Sequence, residues 1–328
     1  MGRAYRHALF CIGGDFMRYI DFHCDTITEL HDHPAAGTLR ESSLYIDIHK
    51  LRKGGCFIQD FALWVDSGVS KDPWARYEEL LSTFRKEMAE NRCLITPILN
   101  REDIRDAEAD GKIGALLSIE GGEVVGGSIE KLHQVYKDGV RLMTLTWNYP
   151  NEIAFPNGME GEDKGITKAG WEIIEEMEHL HMIVDTSHLN DRGTKEILEK
   201  CHVPPVASHS DARAVTFHQR NLPDDLIRLF GEKGGLIGLN FANHFTGFEE
   251  ITKLENIVRH AIHIRDVGGI DILALGSDFD GIEPKLELKD TSEMGRLAEA
   301  LRNGGFTERE VEKVFWRNSL RYMGEVLI

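Results

Sequence analysis

Eight short β-rich runs, each followed by a helical pattern, constrain this chain more than any other feature of it. The runs are Tyr19–Asp25, Cys56–Val65, Ile113–Ile119, Val140–Thr146, Met182–Thr186, Val206–His209, Leu236–Phe241 and Ile272–Gly276. Amphipathic stretches lie between them, among them Trp74–Glu90, Ile129–Lys137, Lys168–Leu180, Thr194–Lys200, Asp224–Lys233 and Leu254–Val267. Strand–helix alternation calls for parallel strands with crossover helices. An open doubly wound sheet would need a glycine-rich phosphate loop after its first strand, and none follows Tyr19–Asp25. The pattern predicts an α/β fold: a closed (β/α)8 TIM-type barrel over residues 19–328 as one domain, with residues 1–18 as an N-terminal extension.

Composition narrows the class further. The chain has 328 residues, more than the ~250 of a typical barrel, and a 41% apolar fraction that can fill its core. No apolar run approaches the ~20 residues of a membrane helix. The stretch Arg3–Gly14 holds too short an apolar run for a leader peptide and reads as an extension ahead of Met17. A net charge of −17 argues against nucleic acid and anionic membranes as partners. The five cysteines are odd in number, widely spaced and without C-x-x-C, which argues against a disulfide scaffold or zinc ribbon and leads us to expect a reducing, cytoplasmic setting.

The chemistry gathers where the strands end. In chain order these positions carry His23-Cys24-Asp25, Glu120 in SIEGG, Trp147-Asn148, His188 in DTSHLN, His209 in ASHSD, Asn240, and Asp278 in GSDFDG. Active sites of such barrels sit at this C-terminal mouth. With a side-chain period of two, His23 and Asp25 share one face of a strand, with Asp21 on the same parity and Cys24 turned away. Alone, H-x-D is a weak signal. Joined by His188, His209 and Glu120, it makes three imidazoles and two carboxylates, more than one open catalytic zinc uses. They suit two zincs sharing a carboxylate. The histidines in loops and helical patterns, such as His133, His218 and His260, are read as surface or satisfied interior residues. Asp278 and Asp280 have a turn-forming reading beside that of a proton acceptor near the metals. Arg220, in HQRNLPDD, could hold a substrate carboxylate bidentately, although an Arg in such a loop is more often a surface residue.

The motifs DFHCDT, SIEGGE, RLMTLTWN, DTSHLN through ASHSDAR to RNLPDD, LNF, LGSDFDG and TEREVEKVFWRNSLRYMGEVL occur in that order. On them the chain resembles the membrane (renal) dipeptidase family of dinuclear zinc peptidases, from about Tyr19 to Leu327. The resemblance implies a (β/α)8 barrel that cleaves small dipeptides, L-D ones included, through attack of a metal-activated hydroxide on the peptide carbonyl. It implies His23 and Asp25 on one Zn2+, His188 and His209 on the other, Glu120 bridging them, Arg220 on the substrate's C-terminal carboxylate, and Asp278 meeting the amine and moving protons. Barrels of this kind are often dimers, so a homodimer is an expectation too.

Two departures touch the substrate shell. The family's strand-four histidine aligns with Trp147, and the aromatic contributed by the seventh strand's loop is replaced by Ala242. Trp147 either donates a hydrogen bond through its indole or walls the pocket. Otherwise it packs at the mouth while Asn148 supplies the donor. A related amidohydrolase acting on N-acyl amino acids or other small amides is the alternative function. A non-catalytic metal-binding protein is disfavoured because no ligand-type residue is missing.

Overall fold

The computed structural model describes residues 17–158 and 163–328, so the expected extension lies outside the described residues apart from Met17 and Arg18. Nine strands form one parallel sheet: β1 (Tyr19–Asp21), β2 (Cys56–Trp64), β3 (Ile95–Pro97), β4 (Ile113–Glu120), β5 (Leu142–Thr144), β6 (Ile183–Asp185), β7 (Val206–Ala207), β8 (Leu236–Leu239) and β9 (Leu273–Leu275). Pairing runs β2-β1-β9-β8-β7-β6-β5-β4, and β2 also pairs with β4, which closes an eight-membered ring. The ninth strand, β3, lies on the edge of β4 that also carries β5. It takes residues 113–115 of β4, and β5 takes Ser118–Glu120. Three residues ending in proline show no alternation, which is why the sequence pattern passes over β3.

Each ring strand contributes one apolar side chain to the interior: Ile20, Ile58, Leu116, Leu142, Ile183, Val206, Leu236 and Ala274 share one cluster. The C-terminal helix Asn318–Val326 closes this floor with Tyr322, Met323 and Val326. Two residues further along, the inward positions of β2, β4, β5, β6 and β7 turn polar, while the β1 segment places Phe22 there. Asp60 accepts from Ser118 Oγ at 2.7 Å, and Asp185 accepts from Thr144 Oγ1 and Ser208 Oγ at 2.6 Å each. At the matching positions of β8 and just past β9 stand Gly238 and Gly276. A Cβ on either would collide with the Ser208 carbonyl, so only glycine lets these strands approach.

The crossover helices form the outer layer and pack on the other face of the ring, where Phe61, Leu63, Leu117 and Ile119 join the larger core cluster. Their starts follow from local chemistry. Asp72 accepts from the backbone N–H of Trp74 and Ala75 ahead of Pro73–Glu90, and Thr307 makes a reciprocal capping box with Glu310. No helix among the described residues is long and apolar enough to cross a membrane.

Candidate active site

Ladder bonding stops early on most strands, and the polar residues emerge on the segments beyond. The β1 ladder ends at Asp21, whose carboxylate is taken up by Ser277 (2.8 and 2.6 Å) and Gln59 (3.2 Å). Asp21 therefore stays out of the site that its parity suggested. His23 follows, buried, then Cys24, which turns into the outer core, then Asp25 at the start of helix Thr26–Asp32. An aspartate in that place ordinarily caps the helix, but this one makes no capping bond. Its Oδ2 lies 3.3 Å from His23 Nε2 instead, and its Oδ1 has no hydrogen-bond partner.

Glu120 ends β4 and divides its two oxygens between two groups. Oε2 is 3.6 Å from His23 Nε2, on the side that holds Asp25 and Asp278. Oε1 is 3.0 Å from His188 Nε2 and 3.5 Å from His209 Nε2. The three imidazoles crowd together, with the His23 and His209 rings 3.9 Å apart and the His188 and His209 rings 5.1 Å apart.

Other residues fix the ring orientations. His188 Nδ1 pairs with Asn148 Oδ1 at 2.9 Å, and His209 Nδ1 pairs with Ser208 Oγ at 2.8 Å. Ser208 spends its own proton on Asp185, so it accepts from His209. Both arrangements assign the proton to Nδ1 and leave Nε2 as a lone pair directed at Glu120. Burial, with help from Arg220 and His23, holds both imidazoles well below the usual range, so they are neutral. For His23, burial pulls the same way, but the Glu120 and Asp25 carboxylates outweigh it and raise the pKa well above the usual value. Burial also raises Glu120, and the neighbouring Asp25 and Asp278 add to the shift.

Two buried carboxylates and the partly buried Asp278, lone pairs converging on them, and no hydrogen-bond partner for either His23 nitrogen or for His209 Nε2 form a donor set fitted to cations. His23, Glu120 and His209 form one group of donor atoms spaced to hold a metal ion, and His23, Asp25 and Asp278 form another.

Asp278 follows β9. Its Oδ2 accepts from Asn240 Nδ2 at 2.9 Å and its Oδ1 lies 3.8 Å from His23 Nε2. Burial pushes its pKa up to about 6 against the pull of His23. Asp280 accepts from Thr26 Oγ1 and the Tyr45 N–H at 2.7 Å each, and burial lifts it to about 7. His188, Asp278 and Asp280 all have φ between +62° and +68°, and among the described non-glycine residues only His181 shares that conformation. Such backbone strain is concentrated where a side chain must be aimed. Gly281 completes the turn, since a Cβ there would press on Asp25 Oδ2 and Asp278 Oδ1.

Above the cluster opens a cavity of about 490 Å³, lined in part by Trp64, Trp147, Arg220, Phe245, Ile282 and Glu29. Arg220 is buried, donates to the His209 carbonyl at 3.4 Å, and leaves Nε without a partner. Its guanidinium stands 5.3 Å from the Phe245 ring. The loop after β8, where Ala242 stands for an expected aromatic, thus supplies one three residues later. Trp147 packs edge-on against Trp64 at 5.0 Å, while the adjacent Asn148 orients His188. Trp64 and Phe245 carry no sequence signal of their own. Only the ring places them at the mouth.

The sequence model of the membrane dipeptidase family, peptidase family M19, matches residues 15–327. The chain belongs to that family. It is a family of metallo-dipeptidases, and its members set the comparison. An uncharacterised protein from the pqqA 5′ region of Klebsiella pneumoniae is 32% identical over 268 residues, covering 79% of this chain and 98% of its own. The structure of dipeptidase AC, a family M19 metallo peptidase, superposes with a TM-score of 0.87 at 25% identity, covering 95% of this chain and 99% of that one. A Rhodobacter sphaeroides metallo peptidase, liganded with a phosphinate mimic of L-Ala-D-Ala, gives 0.87 and 25% over 96% and 100%.

Proposed function

We propose that this family member is a dinuclear zinc dipeptidase acting on small dipeptides, L-D ones among them. The observation that carries the reading is the divided carboxylate of Glu120, one oxygen toward His23 and the other toward His188 and His209. His23 and Asp25 would hold one zinc, His188 and His209 the second, and Glu120 both. When bound, such a pair lowers the pKa of water and polarises a carbonyl. The dipeptide mimic bound by the Rhodobacter sphaeroides relative supports the substrate class.

The remaining steps belong to the protein's own groups. Arg220, buried and with no carboxylate in ion-pair range among the described residues, receives the substrate's C-terminal carboxylate. Asp278, steadied by Asn240, takes the proton from attacking water and returns it to the leaving amine. Asn148 and Ser208 keep the imidazole lone pairs in place. The four described cysteines are all free thiols, which supports a cytoplasmic enzyme.

Metal analysis of the purified protein, combined with hydrolysis assays on dipeptides carrying free or blocked amines, tests the reading. About two zinc ions per chain and cleavage of free dipeptides are expected, with Glu120→Gln losing metal at both positions together with activity. Full activity at one metal per chain would defeat the dinuclear assignment. A preference for blocked, N-acyl substrates would move the chain to the amidohydrolase alternative.

A further inference from the structure

Trp64 and Trp147 both line the cavity. Trp64 stands opposite the proposed carboxylate clamp and Trp147 on the segment after β5, midway around the ring between the two, and these positions decide what they can touch. Counting around the closed sheet, β2 and β7 are four strands apart in either direction. Trp64 is the last residue of β2, and Arg220 lies on the segment after β7. Trp147, three residues beyond β5, closes against Trp64 with ring centroids 5.0 Å apart and continues to Tyr149 at 5.9 Å. Both indoles line the cavity, and Glu120 pairs directly with Trp64 in the β2–β4 ladder.

This inference rests on the dipeptidase reading. A dipeptide whose carboxylate is held at Arg220 and whose scissile carbonyl lies over Glu120 must extend its N-terminal residue toward the β2 wall. Its amine then finds the carboxylates of Asp25 and Asp278, on the adjoining β1 and β9 segments. On the β2 side of the cavity, the apolar surface offered to the N-terminal side chain is that of the two indoles. We propose that Trp64 and Trp147 form the pocket for that side chain, so that the preferred substrates carry a large apolar or aromatic residue at their N-terminal position.

The two indoles could instead be packing partners that merely stiffen the mouth, and the two roles separate in a specificity ratio. With the metal-loaded enzyme, kcat/KM is measured for Gly-D-Ala, L-Ala-D-Ala, L-Leu-D-Ala, L-Phe-D-Ala and the reversed L-Ala-D-Phe. The parent should favour L-Phe-D-Ala over Gly-D-Ala by at least about tenfold, in the range that apolar pocket contacts supply. Trp64→Ala and Trp147→Ala should each collapse that ratio, with thermal unfolding and metal content read alongside. Trp147→Phe, which keeps an apolar wall, should retain most of it.

A flat profile across the N-terminal residues in the parent would overturn the proposal. So would variants that stay folded and metal-loaded yet lose all five substrates in equal proportion. Failure to cleave any dipeptide with metal bound would instead overturn the dipeptidase reading itself.

Discussion

Arg220 and Asp280 show how single side chains, each nearly deprived of water, carry opposite consequences. Removing the guanidinium in Arg220→Ala should cost free dipeptides roughly 1.5–3 kcal/mol, or one to two decades in kcat/KM. C-terminally amidated dipeptides should change little, and equal losses on both would make Arg220 a structural residue. Asp280 is the reverse case, a carboxyl raised by burial to about 7. Between its unfolded value near 4 and that folded value, the native state binds a proton that the unfolded state has released. Its contribution to stability therefore falls as pH rises through this window and is flat above it. In chelated protein, Asp280→Asn should gain on the parent by about 2–4 kcal/mol between pH 4 and pH 8. Urea midpoints at the two pH values measure this, and a gap that does not widen would contradict the assignment. At this scale the sequence was most informative about chemistry and least about geometry. H-x-D named His23 and Asp25, but nothing in DFHCDT shows that Asp21 is taken up by Ser277 and Gln59, partners that are far away in sequence.

The elements that build the site are short, and their loops hold the information. Strand β7 has two bonded residues, yet the segment after it sets His209 through a chain in which His209 Nδ1 bonds Ser208 Oγ and Ser208 bonds Asp185. Ser208→Ala should cut affinity at the His188–His209 position about 10–100-fold while the His23–Asp25 position changes less. Competition with a chelator, followed by metal counting, would show one ion leaving early. Simultaneous loss of both would place Ser208 in the general packing instead. Helices such as Asp224–Lys233 and Leu254–Gly268 are legible because their apolar spacing is set locally. Helix Thr26–Asp32 and strand β3 escape sequence reading because each is too short for a period to appear. The contact between Phe245 and Arg220 escapes because it is made between loops of neighbouring strands.

For the whole molecule, the eight strand–helix units and the closed ring were legible, since parallel alternation without a phosphate loop leaves few other solutions. The floor was not, because Tyr322 and Met323 reach the barrel interior from the far end of the chain. Ring closure has a further consequence. It joins β1 to β9, with Asp21 opposite Leu275, and so depends on contacts between residues some 250 positions apart. Pairings of such sequence separation form late in folding and make a chain slow to mature. The donor groups straddle this same seam, with His23 and Asp25 on one side, Asp278 on the other, and 3.8 Å between His23 and Asp278. Cations held there would act as a latch fastened after the ring has shut. They should slow the unfolding limb of a chevron plot and leave the refolding limb nearly unmoved. Stopped-flow traces with and without chelator read this directly, and an equal effect on both limbs would mean that the seam is already closed at the barrier. Survival against heat or protease would then be governed by how long metal is retained.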